Sequence, residues 1–329
     1  MPDLAQVSPS PAAPLSAALE GDKGAALSSS DSAAPTLRLK RGFYNHPPSF
    51  PPDAPPRLHQ SIAKKIVSLS PLHGWHAAFR KQPEPFDDTR NFGSICHSLL
   101  LGGKSLVVVD APDWRTKDAR ERREAALANG QLPVLSSRME KARRLIELVV
   151  DRLWKEGLPL TGRSELTALW HRNGVWCEGT LDHLRLPPKE TKNKPAIVLD
   201  FKFTGVEATL QACERRFIEN GYDIQAAAYT EAVEIILPRF TGRVKVIYIF
   251  VEAEEPNAIR IVPLAGSMRT SGEWRWARAR AVWKECLKKY GVTTPWPSYP
   301  DDGEAVECPP WALNRQIEEA QAETERIVL

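Results

Sequence analysis

Between Ser164 and Thr204 the chain adopts a period of two, which commits this stretch to a sheet. Ser164 to Trp170, Gly174 to Leu184 and Ala196 to Thr204 read as three strands, with PPKETKNKP over 187–195 as the turn between the last two. A further strand, Val244 to Glu252 (VKVIYIFVE), is near-continuously apolar and reads as central. Helical spacing surrounds these strands. Gln60 to Ser68 and a second short segment after Ser70-Pro71 read as helices. In Thr89 to Leu101, Phe92, Ile95, Cys96, Leu99 and Leu100 form one apolar face that ends at Gly102-Gly103. Further helices are expected over 115–129, 136–156, 221–237 and 271–290. Helices before and after a sheet indicate an α/β (α+β) fold, with a central mixed sheet flanked by helices.

Proline marks the outer limits of that fold. Of 28 prolines, 11 precede Arg57, and residues 1–36 are Ala, Ser, Pro and Asp without a sustained period. Residues 1–56 are therefore expected to be a disordered leader, with a polyproline-like stretch from Tyr44 to Pro56. One folded domain is expected over 57–314 and a helical tail over 315–329.

With 44 basic and 41 acidic residues the net charge is +3, so any basic surface must arise from segregation of charge rather than excess. The five cysteines (Cys96, Cys177, Cys213, Cys286, Cys308) contain no C-x-x-C pair, which argues against a zinc ribbon and for thiols in a reducing compartment. No apolar run approaches the roughly 20 residues of a membrane span, and the N-terminus lacks the pattern of a signal peptide. The expectation is a soluble, cytoplasmic protein.

Chemistry concentrates in IVLDFKFT. Alternation places Ile197, Leu199, Phe201 and Phe203 on one face, expected to be core, and Asp200 and Lys202 on the other. Alone, D-x-K could be an ordinary ion pair on a half-exposed strand. The preceding strand, VWCEGTLDHL, puts Asp182 on a face with Trp176, Glu178 and Thr180. A hairpin across 187–195 would bring Asp182 towards Asp200. Two carboxylates that meet repel unless a proton or a cation sits between them. Hard oxygen ligands suit Mg²⁺ or Mn²⁺, and a neighbouring lysine can orient water beside a phosphate. That is the arrangement for metal-assisted phosphodiester hydrolysis.

The order of motifs resembles the PD-(D/E)xK nuclease superfamily, and within it the RecB-like and RecE-type exonucleases (the nuclease domain of the exodeoxyribonuclease VIII type). The matching segments are GSICHSLLLG with His97, RSELTALW with Glu165, EGTLDHL with Asp182, VLDFKFT with Asp200 and Lys202, and GYDIQAAAYTEA with Tyr222, Gln225 and Tyr229. The resemblance spans roughly residues 57–314 and implies a restriction-endonuclease-like core. It implies Asp182, Asp200, the Phe201 carbonyl and His97 as metal ligands, and Glu165 as a helper through a second metal or bound water. Lys202 would position the attacking water and stabilise charge on the phosphate. Tyr222, Gln225 and Tyr229 would line the helix beside the lysine and the DNA.

The implied cofactor is Mg²⁺, with Mn²⁺ as an alternative and no iron–sulfur cluster, because Cys213, Cys286 and Cys308 are too widely spaced for one. The implied function is a DNA exonuclease that resects duplex ends for recombination, in a bacterial or phage-infected cell. A single-strand annealing protein would be a partner, and a homo-oligomeric ring a possible form. A restriction- or repair-type endonuclease and a catalytically idle DNA-binding scaffold are the competing readings. Arg269, Arg275, Arg278, Arg280, Lys284, Lys288 and Lys289, interleaved with Trp274, Trp276 and Trp283, offer a basic helix for DNA.

Overall fold

The computed structural model describes residues 40–46, 48–50, 53–80, 86–188, 191, 193–300, 303 and 305–328, without the side chains of 88–90 and 322–328. They fall in one unit, Leu39–Leu329. The expected disorder of residues 1–36 lies outside the described residues.

In chain order the unit contains β1 (Gly42–Tyr44), β2 (Arg57–Leu58), α1 (Gln60–Ser68), α2 (Pro71–Phe79) and α3 (Asp88–Leu101). Next come β3 (Leu106–Val109), α4 (Lys117–Ala128), β4 (Leu132–Leu135) and α5 (Ser136–Lys155). The central strands follow as β5 (Arg163–Arg172), β6 (Val175–Arg185) and β7 (Ala196–Thr204). The remainder is α6 (Leu210–Asn220), α7 (Tyr222–Ile236), β8 (Val244–Glu252), β9 (Ile259–Pro263), α8 (Gly266–Tyr290) and α9 (Pro310–Val328).

The strands form a mixed seven-stranded sheet in the order β1-β5-β6-β7-β8-β9, with β2 on β6. β5, β6 and β7 are antiparallel neighbours, whereas β7 and β8 run parallel and align Asp200 with Tyr248. The apolar run of β8 is explained by its place between β7 and β9. β3 and β4 form a separate parallel pair.

Helices cover both faces of the sheet. On one face Ile62, Tyr229 and Trp276, from α1, α7 and α8, pack with Val198 and Tyr248. On the other, Ile95 and Leu145, from α3 and α5, pack with Leu199, Phe201 and Ile249. The expectation of a single core face on β7 is thereby corrected. Asp200 is fully buried, because α7 closes over the face that alternation alone would leave open.

Three further differences have local causes. Gly42–Tyr44 pairs antiparallel with β5, so part of the expected leader belongs to the sheet. α6 was not expected. It is capped by Thr209, whose side chain accepts the Ala212 N–H, and it ends at Gly221 in the left-handed conformation (φ 69°). α9 runs across the expected boundary at residue 314.

The edge of β6 prepares the site. β7 pairs with it at His183, Leu184 and Arg185, and β2 at Trp176 and Cys177, so neither strand covers the stretch between. Backbone groups freed where strands part need other partners. Tyr229 supplies one, donating its hydroxyl to the Thr180 carbonyl at 2.5 Å. Asp182 supplies another, its Oδ2 accepting the Phe201 N–H at 2.8 Å.

Candidate active site

Glu165 and Asp182 stand opposite each other in β5 and β6, at the one position where the ladder between Arg163 and Arg172 skips a pair. Glu165 has φ 52°, in the left-handed region. A non-glycine residue held there stores about 1 kcal/mol or more of strain, which the surrounding sheet has to sustain. The kink carries its carboxylate out of strict alternation and towards α3.

α3 delivers His97 to the same point. Its Nε2 lies 2.9 Å from Asp182 Oδ2 and its Nδ1 lies 3.3 Å from Glu165 Oε1. One ligand atom from each of His97, Glu165 and Asp182 falls within 4.8 Å of the others. Asp200 and Lys202 stand beside this trio as a buried pair, Nζ to Oδ1 at 2.5 Å. Among the described residues, the buried Asp200 oxygens have no donor besides the Lys202 ammonium, and buried Glu165 Oε1 has none besides the His97 ring nitrogen.

The charges follow from these contacts. Burial opposes ionisation of Asp182, but the His97 hydrogen bond, the charges of His97 and Lys202 and the Phe201 N–H outweigh it and lower its pKa. Asp200 moves the other way, up to about 7, through burial and then the charge of Asp182. Two neighbouring carboxylates with pKa values pushed apart recur in acid–base sites. Burial lowers the Lys202 pKa, yet Asp200 and Asp182 outweigh it and raise it, so the side chain stays an ammonium. His97 behaves alike: the hydrogen bond to Asp182 and the nearby carboxylates overcome burial and raise its pKa. Burial raises the Glu165 pKa, against the pull of His97.

A cavity of about 520 Å³ opens onto the group and is lined by Gly93, His97, Glu165, Phe201, Lys202 and Tyr222, among others. Asp182 and Asp200 do not line it; they are buried, held against His97 and Lys202. An added Cβ at Gly93 would meet Phe203 at an ordinary 3.8 Å, so packing does not demand glycine there.

The expected site residues thus divide. His97, Glu165, Asp182 and the Asp200–Lys202 pair come together, though Glu165 rather than Asp200 completes the tight trio. Phe201 contributes its N–H to Asp182. Tyr222 reaches the cavity, its ring centroid 4.6 Å from Lys202 Nζ. Gln225 and Tyr229, expected beside the DNA, are instead buried and bonded to each other at 2.9 Å. From there they brace the open edge of β6. The basic helix is also partly committed to the interior: Arg275 pairs with Asp223 at 2.8 Å, Arg280 pairs with Glu231 at 3.0 Å, and Trp276 and Trp283 are core. Among the described residues, Arg269, Arg278, Lys284, Lys288 and Lys289 have no such buried pairing.

Tyr248, Lys104 and Arg216 escaped the sequence reading. Tyr248 donates to the Tyr222 carbonyl at 2.7 Å and so fixes the start of α7. The signal was its place in β8, but its partner strand could not be read from β8 itself. Lys104 and Arg216 line the cavity from a loop after Gly103 and from the unexpected α6.

No protein-family model matches the sequence, and the curated proteins gave no match. Among solved structures, one from Eubacterium rectale named "Putative exonuclease" aligns with a TM-score of 0.47 and 13% identity, over 77% of this chain and 90% of that one. A second, SSO0001, aligns with a TM-score of 0.25 and 12% identity, over 59% of this chain and 85% of its own. Among the described residues, no helix is long and apolar enough to cross a membrane.

Proposed function

We propose that this chain is a divalent-metal-dependent deoxyribonuclease of the PD-(D/E)xK type, an exonuclease that resects duplex ends. The observation that carries the reading is the meeting of His97, Glu165 and Asp182 within 4.8 Å, next to the buried Asp200–Lys202 pair and at one open cavity. Three acidic groups in so small a volume are costly without a cation to neutralise them.

The donor set fits such a cation. Ligand atoms from two carboxylates and an imidazole converge, and the buried oxygens of Glu165 and Asp200 have only His97 and Lys202 against them among the described residues. His97, Asp182, Asp200 and the Phe201 carbonyl would hold Mg²⁺ or Mn²⁺, with Glu165 on the same centre. When bound, the ion would polarise the scissile phosphate and lower the pKa of water.

The chain's own groups have distinct tasks. Lys202, kept charged by its two aspartates, cannot serve as a base and instead donates to a non-bridging phosphate oxygen as negative charge grows there. Glu165, whose pKa burial raises and which lines the cavity, accepts the proton of the attacking water. The water oxygen bonds to phosphorus, the P–O bond to the leaving nucleotide breaks, and the leaving oxygen takes a proton from solvent. The Tyr222 ring lies against the Lys202 ammonium, and the Phe201 N–H holds Asp182 in place.

Digestion of linear, nicked and closed circular DNA with Mg²⁺ tests the proposal. Shortening of linear duplex from its ends, lost in Lys202→Ala, is expected. Equal digestion by the variant would remove the assignment, and cutting of closed circles would move it to an endonuclease.

A further inference from the structure

α6 carries into the cavity a cation, Arg216, that no ion pair among the described residues uses. Arg216 lines the cavity with Asn220 and Tyr222, and its Nη1 is buried without a hydrogen-bond partner. Two other described arginines have a buried unsatisfied nitrogen, Arg123 and Arg280, and each is ion-paired through another nitrogen, to Glu124 and Glu231. Arg216 has no such partner among the described residues, although its charge reaches Tyr222. Arg216 itself is half-buried, but a guanidinium nitrogen withdrawn from water and left without an acceptor is unfavourable unless a ligand completes it.

The surroundings define that ligand. The cavity already holds Lys202 beside the acidic trio, and Lys104 lines it on the Glu165 side, where an added Cβ on the adjoining Gly103 would stand 3.5 Å from Glu165 Oε2. Cations from separate segments, the loop after Gly103 and α6, line the same cavity as the carboxylate cluster, which already has its own counter-ion in Lys202. They suit a polyanion that crosses the cavity and leaves one anionic group at the centre. Arginine's fixed fork of donors matches two oxygens of one phosphate.

We infer that Arg216 grips the non-bridging oxygens of the phosphodiester adjacent to the one cleaved, with Lys104 supporting the strand on the far side. The inference rests on the nuclease reading above for the identity of the strand. It makes Arg216 a binding residue that sets how the strand lies over Lys202, and gives α6 a purpose beyond packing Phe217 and Cys213 into the core.

Binding measured without cleavage tests it. An end-labelled DNA oligonucleotide is titrated with the full chain in Ca²⁺ at several salt concentrations, and the same preparations are then assayed for cleavage in Mg²⁺. Arg216→Gln should weaken binding about tenfold or more. It should also lower the slope of log K against log salt by about one phosphate's worth. Arg216→Lys should restore the slope but not the full affinity. Unchanged binding and slope in the glutamine variant, or full affinity in the lysine variant, would overturn the role. Wild type that cleaves while the variants bind normally removes this inference alone. Wild type that binds with the expected slope but never cleaves removes the nuclease reading and leaves the clamp standing.

Discussion

Asp182 Oδ2 accepts the Phe201 N–H at 2.8 Å, across the opening where β6 and β7 part. A backbone donor freed by the divergence of two strands thus fixes the carboxylate that also touches His97. The parting of the strands frees the donor that orients the acid at the edge of the cavity. Charge, register and site geometry have one origin here.

Lys202→Ala should lower the single-turnover rate of DNA cleavage by about a hundredfold or more, the scale of losing one preorganised donor. Substrate affinity should change far less, because the lysine acts on charge that develops during the reaction. Rapid-quench cleavage beside a binding titration separates the two. A matching loss in affinity and an unchanged rate would assign Lys202 to ground-state binding.

Asp200 makes stability depend on pH in an unusual sense for a carboxylate. Burial and the Asp182 charge raise its folded pKa to about 7, above its unfolded value. Its contribution is therefore present at low pH and lost as pH rises through about 7. In EDTA the melting temperature should fall between about pH 6 and pH 8, and Mg²⁺ should restore it most at the higher pH. Asp200→Asn should flatten the profile and abolish most of the Mg²⁺ effect. A profile that rises over this window in EDTA would contradict the assignment.

His97 should exchange a proton for the metal. Although burial opposes it, the carboxylates around His97 raise its pKa, while a metal ligand must be neutral imidazole. Mn²⁺ binding followed by calorimetry in buffers of different ionisation enthalpy should release about one proton at mildly acidic pH and fewer as pH rises. Affinity should weaken as pH falls. No proton release at any pH would place His97 outside the ligand set.

Gly272→Ala probes the scaffold alone. An added Cβ on α8 would lie 2.1 Å from the Asp223 backbone oxygen in α7, where no flexible side chain can yield. The variant should lose about 1–3 kcal/mol of stability, or roughly 2–8 °C in melting temperature. Thermal unfolding reads this directly, and an unchanged midpoint would show that α7 and α8 do not approach so closely.

Much of the scaffold was legible because its central strands carry their own signals. Ala196–Thr204 and Val244–Glu252 are runs of β-branched and aromatic residues with the bounds expected of them. α1 and α5 likewise show their faces in apolar spacing. What failed depended on a distant partner. The two-residue β2 exists only because β6 has a free edge, and the burial of Asp200 depends on α7 covering β7. In the site, His97, Asp182 and Lys202 could be singled out from motif order. The kink at Glu165 could not, since nothing in RSELTALW announces a left-handed residue. α6 had local signals, Thr209 before the helix and Gly221 after it, and missing it hid Arg216. Gln225 and Tyr229 share a helical face with Tyr222, but spacing did not tell which of them turn inward.

The most direct test of the central claim is single-turnover cleavage of an end-labelled linear duplex across a Mg²⁺ titration, comparing wild type with Asp182→Asn. Wild type should require the metal and shorten the labelled strand from its end. The asparagine variant should remain folded yet lose about a hundredfold or more of the rate at every Mg²⁺ concentration. Cleavage by wild type in EDTA, or an Asp182→Asn rate equal to wild type, would contradict a metal-dependent site built on His97, Glu165 and Asp182.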